Sequence, residues 1–231
     1  MWHDKLKAVT FSFDDGITQD IRMVELLDKY GLKATFNLNS EKFGVIKEEF
    51  FGGKKFIKKR IEISEVKDLY ENHEVAAHTL THPNLTEIEQ ENEIIRQVEQ
   101  DRLNLEICSF KDVVGMAYPC GGINNDDRVA DIIRRNTGIR YARTITSTHN
   151  FKMQDNLLRF NPTAHFGDNK IFELADEFLN LKPNEPQLFY IWGHSYECDY
   201  VDSWDRLEEL FKRLSGHEDV YYATNKDVFG L

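Results

Sequence analysis

The sequence predicts an α/β protein, a (β/α) barrel of about seven parallel strands. Two observations predict it. Short apolar runs alternate with amphipathic segments along the whole chain, and that alternation means parallel strands with covering helices. The length, 231 residues, suits one such barrel and buries a full core without staples. A single domain over residues 1–231 is therefore expected.

The strands are expected at 8–13, 34–38, 74–77, 113–118, 141–144, 188–192 and 220–223. Between them, 20–29, 63–71, 87–107, 126–137, 171–181 and 203–214 carry apolar residues at three- and four-residue intervals, the helical period. Gly31, Gly138 and Gly216 fall just past helix ends, where a left-handed cap is wanted. Residues 41–60, rich in Lys, Phe and Gly, read as an insertion after the second strand. It is expected to overhang the carboxyl ends of the strands, the face where active sites of such folds gather.

A formal net charge of −11 excludes nucleic acid and anionic membrane as general partners, since both require positive surface. The basic run from Lys54 to Arg60 is a local exception, read as a solvated segment, with a hold on an anionic substrate as the alternative. Cys108, Cys120 and Cys198 are odd in number and irregularly spaced, giving neither a disulfide framework nor a zinc ribbon. No run is long and apolar enough to span a bilayer, and no apolar signal segment precedes the first strand. A cytoplasmic location and a soluble substrate are the corresponding expectations.

Chemistry concentrates just after the strands. Asp14-Asp15-Gly16 ends the first one, and two adjacent carboxylates there would repel and pay for desolvation. A metal ion would resolve the conflict by ligating one and leaving the other as a base; a strand-terminating turn is the plain alternative. His78 and His82 follow the third strand, and on one helical turn a four-residue spacing brings both imidazoles to one metal. Pro119, Gly121 and Gly122 stiffen a loop whose backbone N–H groups can face a ligand. His194 emerges from an apolar strand, and a strand-end histidine suits a general acid. Asp, His and His around one metal with an open position form a facial triad that suits Zn, Fe, Co or Ni. Such a metal activates water for hydrolysis of an ester or amide.

In order, Phe13-Asp14-Asp15-Gly16, His78-Thr79-Leu80-Thr81-His82, Tyr118-Pro119-Cys120-Gly121 and the late His194 resemble the motifs of the polysaccharide deacetylase family, carbohydrate esterase family four. The resemblance implies a distorted barrel and removal of N-acetyl or O-acetyl groups from a carbohydrate. It implies Asp14 as general base, Asp15, His78 and His82 as ligands of one divalent metal (zinc first), and His194 as general acid. The backbone N–H of Cys120 would face the oxyanion, with Pro119, Tyr118 and Trp192 beside the substrate. Trp192, Tyr196 and Trp204 are candidates to stack on a sugar face.

The chain departs from the family at the motif arginine, which is Ala117 here, and lacks the Asp-x-x-Asp-Trp element that holds it. Arg143 or Arg159 is expected to supply the replacement cation. His73 reads as a surface residue, and His165 as an occasional substrate contact. A haloacid-dehalogenase-type phosphatase is excluded, because Phe13 stands where its nucleophile would be. Two rivals remain: a metal-dependent amidase acting on a small cyclic imide or ureide, and a non-catalytic carbohydrate-binding protein.

Overall fold

A computed structural model describes residues 2–231. Its centre is β1 (Lys7–Asp14), buried at every position because it is covered on both faces. Lys7 enters this strand only because its ammonium leaves the core to reach the Leu179 carbonyl and the Asp219 carboxylate, each at 2.8 Å. On one side β1 pairs in parallel with β2 (Ala34–Leu38), followed outward by β5 (Glu74–Ala77), β6 (Gly115–Ala117) and β7 (Tyr141–Arg143). On the other side lie β9 (Gln187–Gly193) and β8 (Ala164–His165), so this path carries seven parallel strands. β10 (Val220–Tyr222) pairs with the first residues of β1.

The two ends of the path meet through one extended segment. The Phe160 N–H donates to the Ala142 carbonyl and the Thr144 N–H to the Phe160 carbonyl, both at 2.9 Å. Three residues on, the Thr163 N–H donates to the Tyr190 carbonyl at 2.8 Å. The sheet therefore curls into the predicted distorted barrel. β8 escapes prediction because two residues carry no period to recognise.

Helices α1 (Asp20–Lys29), α2 (Val66–Leu69), α5 (Asp127–Asn136), α6 (Ile171–Asn180) and α8 (Trp204–Leu214) pack their apolar faces onto the sheet. Short helices α7 (Glu197–Tyr200) and α9 (Asn225–Phe229) complete the set. α2 is much shorter than expected. The helix expected from 87 starts later, as α3 (Glu91–Ile95), and runs through a wide turn at Arg96–Gln100 into α4 (Asp101–Ser109). The delay follows from Asn84, whose side chain accepts the Thr86 N–H and sets up a separate turn first. Gly31 and Gly216 take left-handed φ of 64° and 76° as expected. Gly138 does not; its missing Cβ makes room for the Arg102 guanidinium instead.

The insertion is an antiparallel hairpin of β3 (Ile46–Phe51) and β4 (Lys54–Lys59). It is strapped to the end of β1, with the Thr18 N–H on the Lys59 carbonyl at 2.9 Å and the Ile61 N–H on the Gly16 carbonyl at 3.0 Å. Gly16 is obligatory there: at φ +60°, a Cβ would lie 2.7 Å from the Leu38 side chain. The hairpin thus overhangs the carboxyl end of the sheet, as expected. His73 is the opposite of a surface residue, being buried with Nδ1 accepting the Ala34 N–H at 3.3 Å. Among the described residues no helix is long and apolar enough to cross a membrane.

Candidate active site

The carboxyl ends of β1, β5, β6 and β9 open onto a cavity of about 290 Å³ lined by Asp14, Asp15, Lys58, His78, His82, Tyr118, Cys120, Trp192, His194 and Tyr196. Asp15, His78 and His82 meet there, each offering a ligand atom within 4.8 Å of the others. Asp15 Oδ1 lies 3.5 Å from His82 Nε2 and 3.9 Å from His78 Nε2. His78 Nδ1 lies 2.8 Å from the Ala117 carbonyl, which makes Nδ1 the protonated nitrogen and leaves the Nε2 lone pair facing the cavity. Burial pushes the His78 pKa down to about 4 and also lowers that of His82, so both imidazoles are neutral and competent to ligate.

The helical turn expected to carry the two histidines does not form. Thr79 and His82 are left-handed, with φ of 66° each, and the segment is an irregular loop. Asn39 holds it through Nδ2, which donates to the His78 and Thr79 carbonyls. Asp15 and Cys120 are left-handed too, at φ 87° and 70°. Four such non-glycine residues around one cavity cost on the order of 1 kcal/mol or more each, strain of the kind found at functional sites.

Asp14 faces the cavity from full burial. Arg143 from β7 holds both its carboxylate oxygens through Nη2, and Asn37 Nδ2 donates to Oδ1 at 2.8 Å. Burial opposes ionisation, yet Arg143 and the neighbouring histidines hold the Asp14 pKa below its ordinary value. Arg143 also stacks 4.5 Å from the Trp192 ring centroid. Of the two expected cations, Arg143 is thus the one beside Asp14. Arg159 points elsewhere, to Asn125 and Asp127.

His194 stands across the cavity, Nε2 4.0 Å from Asp14 Oδ2. Its Nδ1 lies 3.1 Å from Glu197 Oε1, while Glu197 Oε2 lies 2.9 Å from His165 Nε2. Burial would lower the His194 pKa, but the Glu197 hydrogen bond and the nearby carboxylates hold it above the ordinary value. Glu197 escapes sequence reading, although its place three residues after His194, at the start of a short helix, is the signal that would find it. His165 serves Glu197 in the structure rather than standing alone.

Asn124 fixes the loop after β6, its Nδ2 donating to the carbonyls of Tyr118, Pro119 and Cys120. Cys120 Sγ lies 3.8 Å from His82 Nδ1. Tyr118 contributes its ring edge to the cavity, its hydroxyl being committed to the Leu158 carbonyl at 2.8 Å, and Pro119 is buried behind it. Trp192 and Tyr196 line the cavity; Trp204 does not, because α8 buries it against Arg22 with Nε1 on Asp199. The basic run also differs from its expected solvated state. Lys58 and Arg60, 12% and 11% exposed, turn inward, Lys58 Nζ 2.6 Å from Asp15 Oδ2 and Arg60 Nη2 3.1 Å from Oδ1.

Residues 3–142 match the sequence profile of the family described as Polysaccharide deacetylase. The chain belongs to that family. No curated protein matches the chain in sequence. Solved structures extend the likeness across the whole polysaccharide deacetylase fold. The peptidoglycan deacetylase PdaC from Bacillus subtilis superposes with a TM-score of 0.57 at 17% identity, covering 98% of this chain and 91% of that one. The Xyl-CE4 domain of a multidomain xylanase from the Trinervitermes trinervoides hindgut metagenome gives 0.62 at 16%, covering 97% and 90%. A family-4 pseudoenzyme from Bacillus anthracis gives 0.53 at 19%, covering 97% and 65%. The polysaccharide deacetylase fold therefore hosts active and inactive chains alike, and membership supports a hydrolase of acetylated carbohydrates only through the site. Within that site, Arg143, His194 and Glu197 all lie beyond the matched stretch.

Proposed function

We propose that this protein is a metal-dependent deacetylase that releases acetate from an N-acetylated or O-acetylated carbohydrate. The observation that supports this most is the pairing of opposite partners in one cavity: Arg143 on Asp14 lowers its pKa, Glu197 on His194 raises its pKa, and the two side chains stand 4.0 Å apart. A binding protein requires neither a base nor an acid. The donor set fits a metal. Asp15 Oδ1 is buried and makes no hydrogen bond; it touches Arg60 Nη2 at 3.1 Å and lies 3.5 and 3.9 Å from the His82 and His78 Nε2 atoms. Asp15, His78 and His82 would hold zinc, or cobalt, nickel or iron. Such an ion lowers the pKa of bound water and polarises the acetyl carbonyl.

The side chains supply the rest. Water attacks the acetyl carbon and gives its proton to the Asp14 carboxylate, while the Cys120 backbone N–H faces the oxyanion. His194 Nε2 then donates a proton to the departing amine or hydroxyl as the bond to the acetyl carbon breaks, and acetate leaves. Glu197 keeps the His194 ring in register for that transfer. Trp192 and Tyr196 offer aromatic faces to the sugar.

Elemental analysis of the purified protein, paired with an acetate-release screen over N- and O-acetylated sugars, tests the proposal. One transition metal per chain is expected, with activity lost on chelation and in Asp15→Asn. Chelator-resistant turnover would overturn the mechanism. Turnover of a small cyclic imide with no acetate from the whole panel would overturn the substrate class.

A further inference from the structure

Behind Lys58 a second recess of about 240 Å³ adjoins the catalytic cavity, sharing Asp15, Lys58 and His82 with it. Its walls bring together Lys42, Lys47, Lys58 and Arg60 against two carboxylates, Asp15 and Glu49. In a chain of net charge −11, a pocket with a surplus of two positive charges is a local reversal of sign. Both carboxylates are already neutralised. Asp15 is held by Lys58 and Arg60, and Glu49 accepts from Lys47 at 3.0 Å and from the Tyr200 hydroxyl at 3.0 Å. Lys42 has no carboxylate at ion-pair distance among the described residues. Burial and the Arg60 charge beside it hold the Lys42 pKa below its ordinary value, with the Asp15 carboxylate opposing them in part.

We propose that this recess binds an anionic substituent of the substrate, so that the acetylated sugar the protein acts on carries a phosphoryl group. A surplus of two charges matches a phosphoryl dianion, whereas a single carboxylate would satisfy half of it. Lys42 and Lys47 sit at the outer rim, half-buried and exposed, where an arriving anion meets them first. Lys58 lies on the wall common to both cavities, its ammonium 3.7 Å over the Tyr196 ring, and so links the anion to the sugar. This inference rests on the deacetylase reading for its chemistry but not for its binding site.

The test compares acetate release by the metal-loaded protein from N-acetylglucosamine 1-phosphate, N-acetylglucosamine and an N-acetylhexosaminuronic acid. The phosphorylated sugar is expected to lead the neutral one in kcat/KM by roughly tenfold or more, an advantage that fades at high salt. Lys42→Gln combined with Lys47→Gln should remove most of that advantage, and Lys42→Arg should retain it. Equal kcat/KM for the phosphorylated and neutral sugars, or a uronic acid preferred to both, would overturn the proposal. Should none of the sugars lose acetate, the deacetylase reading fails on its own, and calorimetric titration with inorganic phosphate still decides the recess. Binding weakened about tenfold by Lys42→Gln supports it. No binding, or binding indifferent to that substitution, overturns it.

Discussion

Asp14 and Asp15 are neighbours in sequence with the same side chain, and their surroundings separate them completely. Arg143 holds one, while Lys58, Arg60 and two histidines surround the other. Removing the guanidinium in Arg143→Ala leaves Asp14 buried without its main counter-charge, so its pKa rises. The acid limb of the kcat/KM–pH profile should move to higher pH, and the fold should lose roughly 3–5 kcal/mol, as breaking a buried pair does. An unmoved acid limb would mean that Asp14 is not the base. In the proposed mechanism the opposite limb belongs to His194. Glu197→Gln withdraws the carboxylate that raises its pKa, so the proton is lost earlier and the basic limb should move to lower pH. A fall in activity with both limbs in place would reduce Glu197 to a packing role. At this scale the sequence shows which titratable groups gather at the strand ends, whereas the cation that holds Asp14 lies 129 residues along the chain, at Arg143.

Asp14 and Arg143 end strands β1 and β7, whereas an irregular loop and one hairpin carry much of the rest of the site. Spacing alone placed His78 and His82 on one side of a helical turn, and they do converge, but through left-handed residues and the grip of Asn39. The hairpin shows the stronger local ambiguity. Alternation along β4 sends Lys55 to Glu48 and turns Lys58 to Asp15, and only docking against β1 decides which face looks inward. Lys58 holds the second oxygen of the carboxylate that a metal ion would share, and so draws on the same negative charge. Lys58→Met should therefore bind zinc roughly tenfold more tightly, on the basis that a partly buried ion pair is worth about 1 kcal/mol or slightly more. Competition against a chromophoric chelator measures this directly, and unchanged or weaker affinity would show that the ammonium does not compete.

Over the whole molecule, the site stands on a buried polar tie that joins three parts of the barrel. Asp20 at the start of α1 accepts from the Ser195 hydroxyl, next to His194, and from the Tyr70 hydroxyl at 2.7 Å. Burial raises its pKa to about 7, the hydrogen bonds opposing that shift only in part. The folded protein thus keeps a proton that the unfolded chain, at its ordinary value of 3.8, releases. Asp20 contributes most to stability below about pH 4, and this contribution falls as pH rises toward 7, by up to roughly 4 kcal/mol. Asp20→Asn should remove that component, so denaturant midpoints of the variant minus the wild type should climb from pH 4 to pH 7. A flat difference would mean that Asp20 is ionised throughout the native range.

The sequence by itself determined the alternation that makes a parallel barrel, the strand that ends in Asp14-Asp15, and the side-chain types that face its mouth. These follow from local periodicity and from the cost of leaving charge at a buried strand end. Only the tertiary structure decided that Arg143 rather than Arg159 stands beside Asp14. It alone turned Lys58 and Arg60 into the site and closed the sheet through Phe160 and β8. Each of those outcomes depends on which distant segments pack together, and no local pattern in the chain encodes such a contact.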